Sequence, residues 1–214
     1  MKHITRVHVA ATLTLAAGLA LAGCGNSDNA QPGGSTSSSS MPGMNHETMA
    51  PTTAATMTAP VDHNDSDVEF ATGMIPHHRQ AVEMADMALK QAKSASVKQL
   101  ATAIKAAQDP EIQQMSGWLT GWGKPVPSPG MSHSMPGGGM MTEQEMTDLG
   151  KASGAAFDRM WVQMMIKHHQ GAVAMAKTEQ SSGESAKAIE LAKKIEAAQN
   201  AEIATMQKLL NQLP

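Results

Sequence analysis

From about residue 65 onward, apolar side chains recur every three or four positions, the spacing of an amphipathic helix. Phe70, Met74, His77, His78, Ala81, Val82, Met84 and Ala85 follow this period and predict a helix from about Asp65 to Ala92. Pro76 lies inside it and should remove one backbone hydrogen bond and kink it. Ser96-x-x-Gln99 reads as a capping box for a second helix, about Ala95 to Trp122, with a seam of Leu100, Ile104, Ala107, Glu111, Met115 and Trp118. Pro110 is placed to bend that helix too. Thr142-x-x-Glu145 opens a long helix through Phe157, Trp161, Met165, His168, Ala172 and Met175. Ser181-x-x-Glu184 precedes a last one with Leu191, Ile195, Ala198, Glu202, Met206 and Leu209. Strand-like alternation is missing. Four helices joined by two short turns and one longer crossover predict an all-α protein, a four-helix bundle.

The pattern is also duplicated. Sliding the chain by 91 positions aligns Asp67 to Leu119 with Asp158 to Leu210 without a gap, with about 21 identities in 53 positions. The retained pairs include apolar residues and also His77/His168, His78/His169, Met74/Met165, Met84/Met175, Asp67/Asp158, Gln108/Gln199, Glu111/Glu202 and Met115/Met206. The bundle is therefore expected to consist of two duplicated helical hairpins. Its expected limits are 63–214, with repeat one at 63–123, a Met/Gly/Pro-rich crossover loop at 124–141 and repeat two at 142–214.

The segment before the bundle has a different composition. Lys2 and Arg6 precede a short apolar run from about Val9 to Ala22, too short to span a bilayer and of the length of a signal-peptide core. Its Leu21-Ala22-Gly23-Cys24 ending resembles a bacterial lipobox, which makes 1–23 a lipoprotein signal peptide and Cys24 the lipidated residue. The expected location is the outer face of a bacterial membrane, reached by export and held through a lipid anchor. Residues 24–62 are mostly Ser, Thr, Pro, Gly, Asn and Met and read as a flexible tether that cannot offset its ordering entropy.

Composition narrows the chemistry. The 214 residues include 19 Met and 9 His but 1 Cys, 2 Phe and no Tyr, with a formal net charge of -3. One Cys excludes an intramolecular disulfide and any multi-thiolate metal site, so a metal would be held by imidazole, thioether or carboxylate. Few aromatics and a negative charge argue against a nucleic-acid partner.

The Met and His residues are not scattered. Met41, Met44, His46 and Met49 crowd the tether, and Met131, His133, Met135, Met140 and Met141 crowd the crossover. Met has little packing reason to gather in Gly/Pro loops, whereas thioethers with an imidazole suit a soft ion such as Cu(I), so both patches read as flexible metal-capture sites. On the first helix Asp67, Met74 and His78 lie within roughly 40 degrees, with His77 and Met84 on a parallel stripe. Asp158, Met165, His168, His169 and Met175 repeat the arrangement. Met at helical spacing can be plain core, and His can be structural. Burying four imidazoles without a use, however, costs desolvation that Leu would not. Glu111 and Glu202 sit at seam positions, where a carboxylate needs a partner. Each could accept a His N–H and leave the other ring nitrogen free for a metal, or snorkel to water.

The sequence Met-Ile-x-His-His-x-x-Ala-Val-x-Met-Ala, followed by Gln-x-x-Glu-Ile-x-x-Met, occurs at Met74 to Ala85 with Gln108 to Met115, and again at Met165 to Ala176 with Gln199 to Met206. This duplicated pattern resembles the DUF 305 family, over about 150 residues from near His63 to the C-terminus. The resemblance implies an exported, ferritin-like four-helix bundle, and copper binding and resistance as known for some members. It carries over Met74, His77, His78 and Met84, with Met165, His168, His169 and Met175, as metal-site candidates. Asp67, Glu111, Met115, Asp158, Glu202 and Met206 are supporting groups or further ligand candidates. Pro76 against Lys167 marks an asymmetry between the halves.

The function expected on these grounds is not enzymatic: a lipid-anchored protein that sequesters or hands on copper as Cu(I), with Ag(I) as a second candidate ion and a metal-transfer protein as a candidate partner. A dimetal carboxylate oxidase on the same fold would need Glu-x-x-His pairs, and the residues three before the four histidines are Met74, Ile75, Met165 and Ile166. The non-enzymatic alternative is a surface interaction bundle in which His and Met only pack.

Overall fold

The computed structural model describes residues 62–129 and 138–214. The expected signal peptide, the tether with Cys24, Met41, Met44, His46 and Met49, and the crossover residues Met131, His133 and Met135 lie outside the described residues. The rest forms five helices: α1 (Asp65–Gln91), α2 (Ala95–Gly121), α3 (Glu143–Lys151), α4 (Gly154–Ser182) and α5 (Ala186–Leu210). Helices α1 and α2 make one hairpin, α4 and α5 the other, and the hairpins meet where α1 lies along α4. The all-α bundle of two hairpins read from the pattern is present, and the described residues contain no strand. None of their helices is long and apolar enough to cross a membrane.

The duplication is visible in the helix limits. Shifted by 91, the end of α1 at Gln91 falls on the end of α4 at Ser182, and the start of α2 at Ala95 on the start of α5 at Ala186. Pro76 and Pro110 both lie inside uninterrupted helices.

The long helix expected from Thr142 is in fact two. Thr142 does cap α3 with Glu145 in a reciprocal capping box, but α3 ends at Lys151 and the chain turns at Gly154, whose φ of 60° is left-handed. The reason is tertiary. Ala92, in the turn between α1 and α2, forms an isolated bridge with Gly154, so that turn occupies the gap. The apolar period runs on in phase across the break and hides it, while Gly150 and Gly154 are its only local sign. Helix α3 thus stands outside the repeat.

The helix starts also correct two expectations. Ser96 lies within α2, and Ser181 lies in the last turn of α4, where its hydroxyl donates to the Thr178 carbonyl at 2.9 Å. The residues that precede α2 and α5 are Ser94 and Ser185, and neither caps through its own side chain. Buried aspartates from the opposite hairpin do this instead. Asp158 accepts from the Lys93 and Ser94 amides at 3.0 and 2.8 Å, and Asp67 accepts from the Ser185 amide at 3.0 Å and the Glu184 amide at 3.1 Å. A carboxylate at a helix N-terminus satisfies free amides and complements the helix dipole. Asp67 also completes a capping box with Asn64 at the start of α1.

The core divides into two clusters. One gathers Met84, Met165 and Met206 with Phe157, Trp161, Leu149 and Ile104. The other gathers Met74 and Met115 with Phe70, Ile75, Leu119, Leu191 and Ile195, and Met175 packs against it. Buried Trp161 donates to the Met84 carbonyl at 2.8 Å, which ties α4 to α1.

Candidate metal centre

All four paired histidines lie midway along α1 and α4 and are buried, none more than 1% exposed. The two repeats treat them alike in one respect. His78 donates from Nε2 to Glu111 at 2.7 Å, and His169 donates from Nε2 to Glu202 at 2.6 Å. Each bond places the proton on Nε2 and leaves the Nδ1 lone pair bare, and neither Nδ1 has a partner. The glutamates thus do what a carboxylate behind a metal-binding imidazole does, while keeping part of their own surface in water.

Between these pairs His77 and His168 face each other, with ring centroids 3.8 Å apart and planes tilted by 42°. His77 donates from Nε2 to the Gly138 carbonyl at 2.7 Å and has a bare Nδ1, whereas His168 has no partner at either nitrogen. Burial, reinforced by the neighbouring His78, pushes His77 down to about 3 against the raising effect of the Gly138 carbonyl. Burial and then the surrounding imidazoles likewise push His168 well below the ordinary histidine range, against the raising effect of the His77 backbone beside its ring. Both rings are therefore neutral, with lone pairs available at neutral pH.

Five buried imidazole nitrogens are thus without a hydrogen-bond partner. Each buried polar group left bare costs on the order of 1–3 kcal/mol, a burden a folding core does not carry without a compensating use. A lone pair that meets no donor suits an electron-pair acceptor such as a metal ion. Among the described residues no three His, Cys, Asp or Glu side chains converge on one point, so the donor type left to complete a site is the thioether.

The methionines are shared between hairpins in a way the linear pattern does not show. Met74 precedes His78 by one helical turn, and Met165 precedes His169 likewise, so each methionine shares a helix face with its histidine. Met84 and Met175 lie about 9 Å farther along their helices from His78 and His169. Both clusters draw on both repeats: Met175 packs against the one with Met74 and Met115, and Met84 lies in the one with Met165 and Met206. The Met175 Cε rests 3.0 Å from where a Cβ on Gly73 would stand.

Other candidates fall elsewhere. Asp67 and Asp158 are ten residues, about 15 Å, from His77 and His168 along their helices, and their oxygens are engaged by backbone amides. The expectation that they support the metal gives way to a structural role at the hairpin ends. Of the crossover methionines, Met141 is buried in the core and Met140 is partly buried. Gln108 and Gln199, marked by the sequence as a retained pair but not as site residues, are buried with bare Oε1 atoms. Their retention at seam positions was the available signal.

The fold and the site together define a class: a duplicated all-α hairpin bundle that buries paired, glutamate-held histidines among methionines. The chain belongs to the DUF305 family, "Domain of unknown function (DUF305)", whose model matches residues 67–210. A DUF305 protein from Streptomyces coelicolor, described as a presumptive secreted protein, is 33% identical, with a TM-score of 0.63 over 69% of this chain and 91% of that one. CopM in its Cu(I)-bound form is 33% identical, with a TM-score of 0.58 over 68% of this chain and 96% of that one, and CopM is also known in Cu(II)-bound and Ag-bound forms. An uncharacterized protein, L153, of Acanthamoeba polyphaga mimivirus is 40% identical over 53 residues, and the chain spans about a third of that protein's length.

Proposed function

We propose that this protein binds copper as Cu(I) outside the cytoplasm and sequesters it or hands it on, in support of metal tolerance, without catalysing a reaction. The single observation that carries the reading is the set of five bare imidazole nitrogens buried in the bundle. Copper is cargo here, and the residues fit it. The Nδ1 atoms of His77, His78 and His169 and either nitrogen of His168 are borderline donors. Met74 and Met165 with Met115, Met206, Met84 and Met175 supply soft ones, the combination that favours Cu(I) and Ag(I) over harder ions. CopM, similar over most of its length, binds Cu(I), Cu(II) and Ag, which supports the same cargo here.

The crossover and tether methionines would collect ions with fast exchange, because a flexible ligand set must be ordered at each binding event. Cys24 would hold the protein on the outer face of the membrane through its lipid, within reach of a metal-transfer partner. The alternative, an interaction bundle in which His and Met merely pack, leaves the bare nitrogens without a use.

Anaerobic titration of the purified protein with Cu(I) against a competing chelator tests the reading. Tight binding is expected, lost when His77, His78, His168 and His169 are replaced by Gln with helicity retained. A parent protein that takes up no Cu(I) or Ag(I) overturns it.

A further inference from the structure

We propose that Gly171 and the Gly138 carbonyl are positioning groups of the histidine cluster, which fix His77 in a single tautomer and make the two halves of the duplicated site unequal. A carbonyl oxygen can only accept, so the 2.7 Å contact from His77 Nε2 to Gly138 sets the proton on Nε2 and the lone pair on Nδ1. His168, the repeat partner of His77, makes no hydrogen bond at either nitrogen, and the His77 backbone beside its ring holds it less firmly than the Gly138 carbonyl holds His77.

The carbonyl is held in place by a seat that only glycine provides. A methyl group at Gly171 would collide with the Gly138 carbonyl and stand 2.8 Å from the Gly139 Cα. Gly139 itself has a φ of 73°, and a Cβ there would lie 2.6 Å from the Lys167 carbonyl. On both sides of this seat α1 grips the crossover backbone. Arg79 donates to the Pro127 carbonyl at 2.6 Å. The Gln80 side chain both donates to the Met141 carbonyl at 2.8 Å and accepts from the Met141 amide at 2.7 Å. In the repeat register Gln80 corresponds to Gly171 and Arg79 to Gln170. One copy carries the clamp and the other carries the seat. The end of the crossover is thus laid across the line where α1 meets α4, over the His77 and His168 rings.

The consequence for ion binding rests on the copper reading, while the tautomer does not. With Nδ1 pre-set as a lone pair, His77 takes an ion without moving a proton, whereas His168 must first be in the right form. Nitrogen-15 spectra of the apo protein should show His77 as a single Nε2–H tautomer and His168 as a mixture. In Gly171→Ala, and in Gln80→Ala, which loosens the same segment without adding an atom to α4, His77 should become a mixture too. Ag(I) affinity should then fall about 10-fold with helicity retained, the lower range for losing a group that orients a ligand.

If His77 keeps one tautomer in folded Gly171→Ala and Gln80→Ala proteins, the positioning role is overturned. It is equally overturned for ion binding if the tautomer shifts and Ag(I) affinity does not. A parent protein that binds no Ag(I) refutes the copper reading instead, and the nitrogen-15 spectra still decide the tautomer.

Discussion

His78 on α1 and Glu111 on α2 meet at 2.7 Å across their hairpin, and His169 and Glu202 repeat the bond at 2.6 Å across the other. The glutamate fixes which imidazole nitrogen is bare. Glu111→Ala should therefore let the His78 proton sit on either ring nitrogen and lower Cu(I) or Ag(I) affinity by about 10- to 100-fold, the usual cost of losing a group behind a ligand. Chelator competition measures it. Glu202→Ala should act with similar size on its own half, and affinities unchanged in both variants would detach these glutamates from the site.

Asp67 and Asp158 should behave differently, because they bind backbone rather than the imidazoles. Asp158→Ala leaves the Lys93 and Ser94 amides without an acceptor and should cost about 2 kcal/mol of stability, as for a hydrogen bond to a charged group. Hydrogen exchange should rise at those amides, and Asp67→Ala should raise it at Glu184 and Ser185. Ion stoichiometry should stay at the parental value. A lower stoichiometry in either folded variant would restore these carboxylates to the metal centre.

Glu179 predicts how stability changes with pH. It is fully buried and lies beside Asp67, whereas the first repeat has Ala88 at the corresponding position. Burial and then the Asp67 carboxylate push Glu179 up to about 8. Burial raises Asp67 as well, but its hydrogen bonds with Glu179 and with the Asn64, Glu184 and Ser185 backbone outweigh this and hold it below the ordinary aspartate range. Between the ordinary glutamate value of 4.5 and about 8, the folded protein holds a proton at Glu179 that the unfolded chain has released. Glu179 therefore makes stability fall as pH rises through this window, with the loss complete above pH 8. Glu179→Gln should flatten that fall in thermal melts of the apo protein. A slope as steep as the parent's would assign it to other groups.

Cys24→Ala should release the protein from membranes into the soluble fraction or leave it as uncleaved precursor, because the preceding apolar run is too short to act as the anchor. Fractionation with mass measurement of the N-terminus checks it. Cleaved Cys24→Ala protein that stays on the membrane would rule out lipid anchoring.

Periodicity and the 91-residue repeat determined by themselves that the protein is helical, that it consists of two like hairpins, and that His77, His78, His168 and His169 belong to its buried faces. These are local properties: a 3.6-residue period is set by backbone geometry, and a duplication is read without any contact. The glutamates were legible for the same reason, since a carboxylate on an apolar seam needs a partner wherever the helices lie. The break between α3 and α4 was hidden because the apolar phase continues through it, and what breaks the helix is a turn some 60 residues earlier in the chain. Asp67 and Asp158 pointed to the metal on the helical wheel, which shows angle but not the length of chain that separates them from the histidines. Only the packing of α1 along α4 decided that Met84 would share a cluster with Met165 and Met175 pack beside Met74, that His77 would face His168, and that a crossover carbonyl would accept the His77 N–H. Those contacts join residues more than 30 positions apart, and the free energy that selects them comes from filling a shared core and satisfying its polar atoms, which no local pattern encodes.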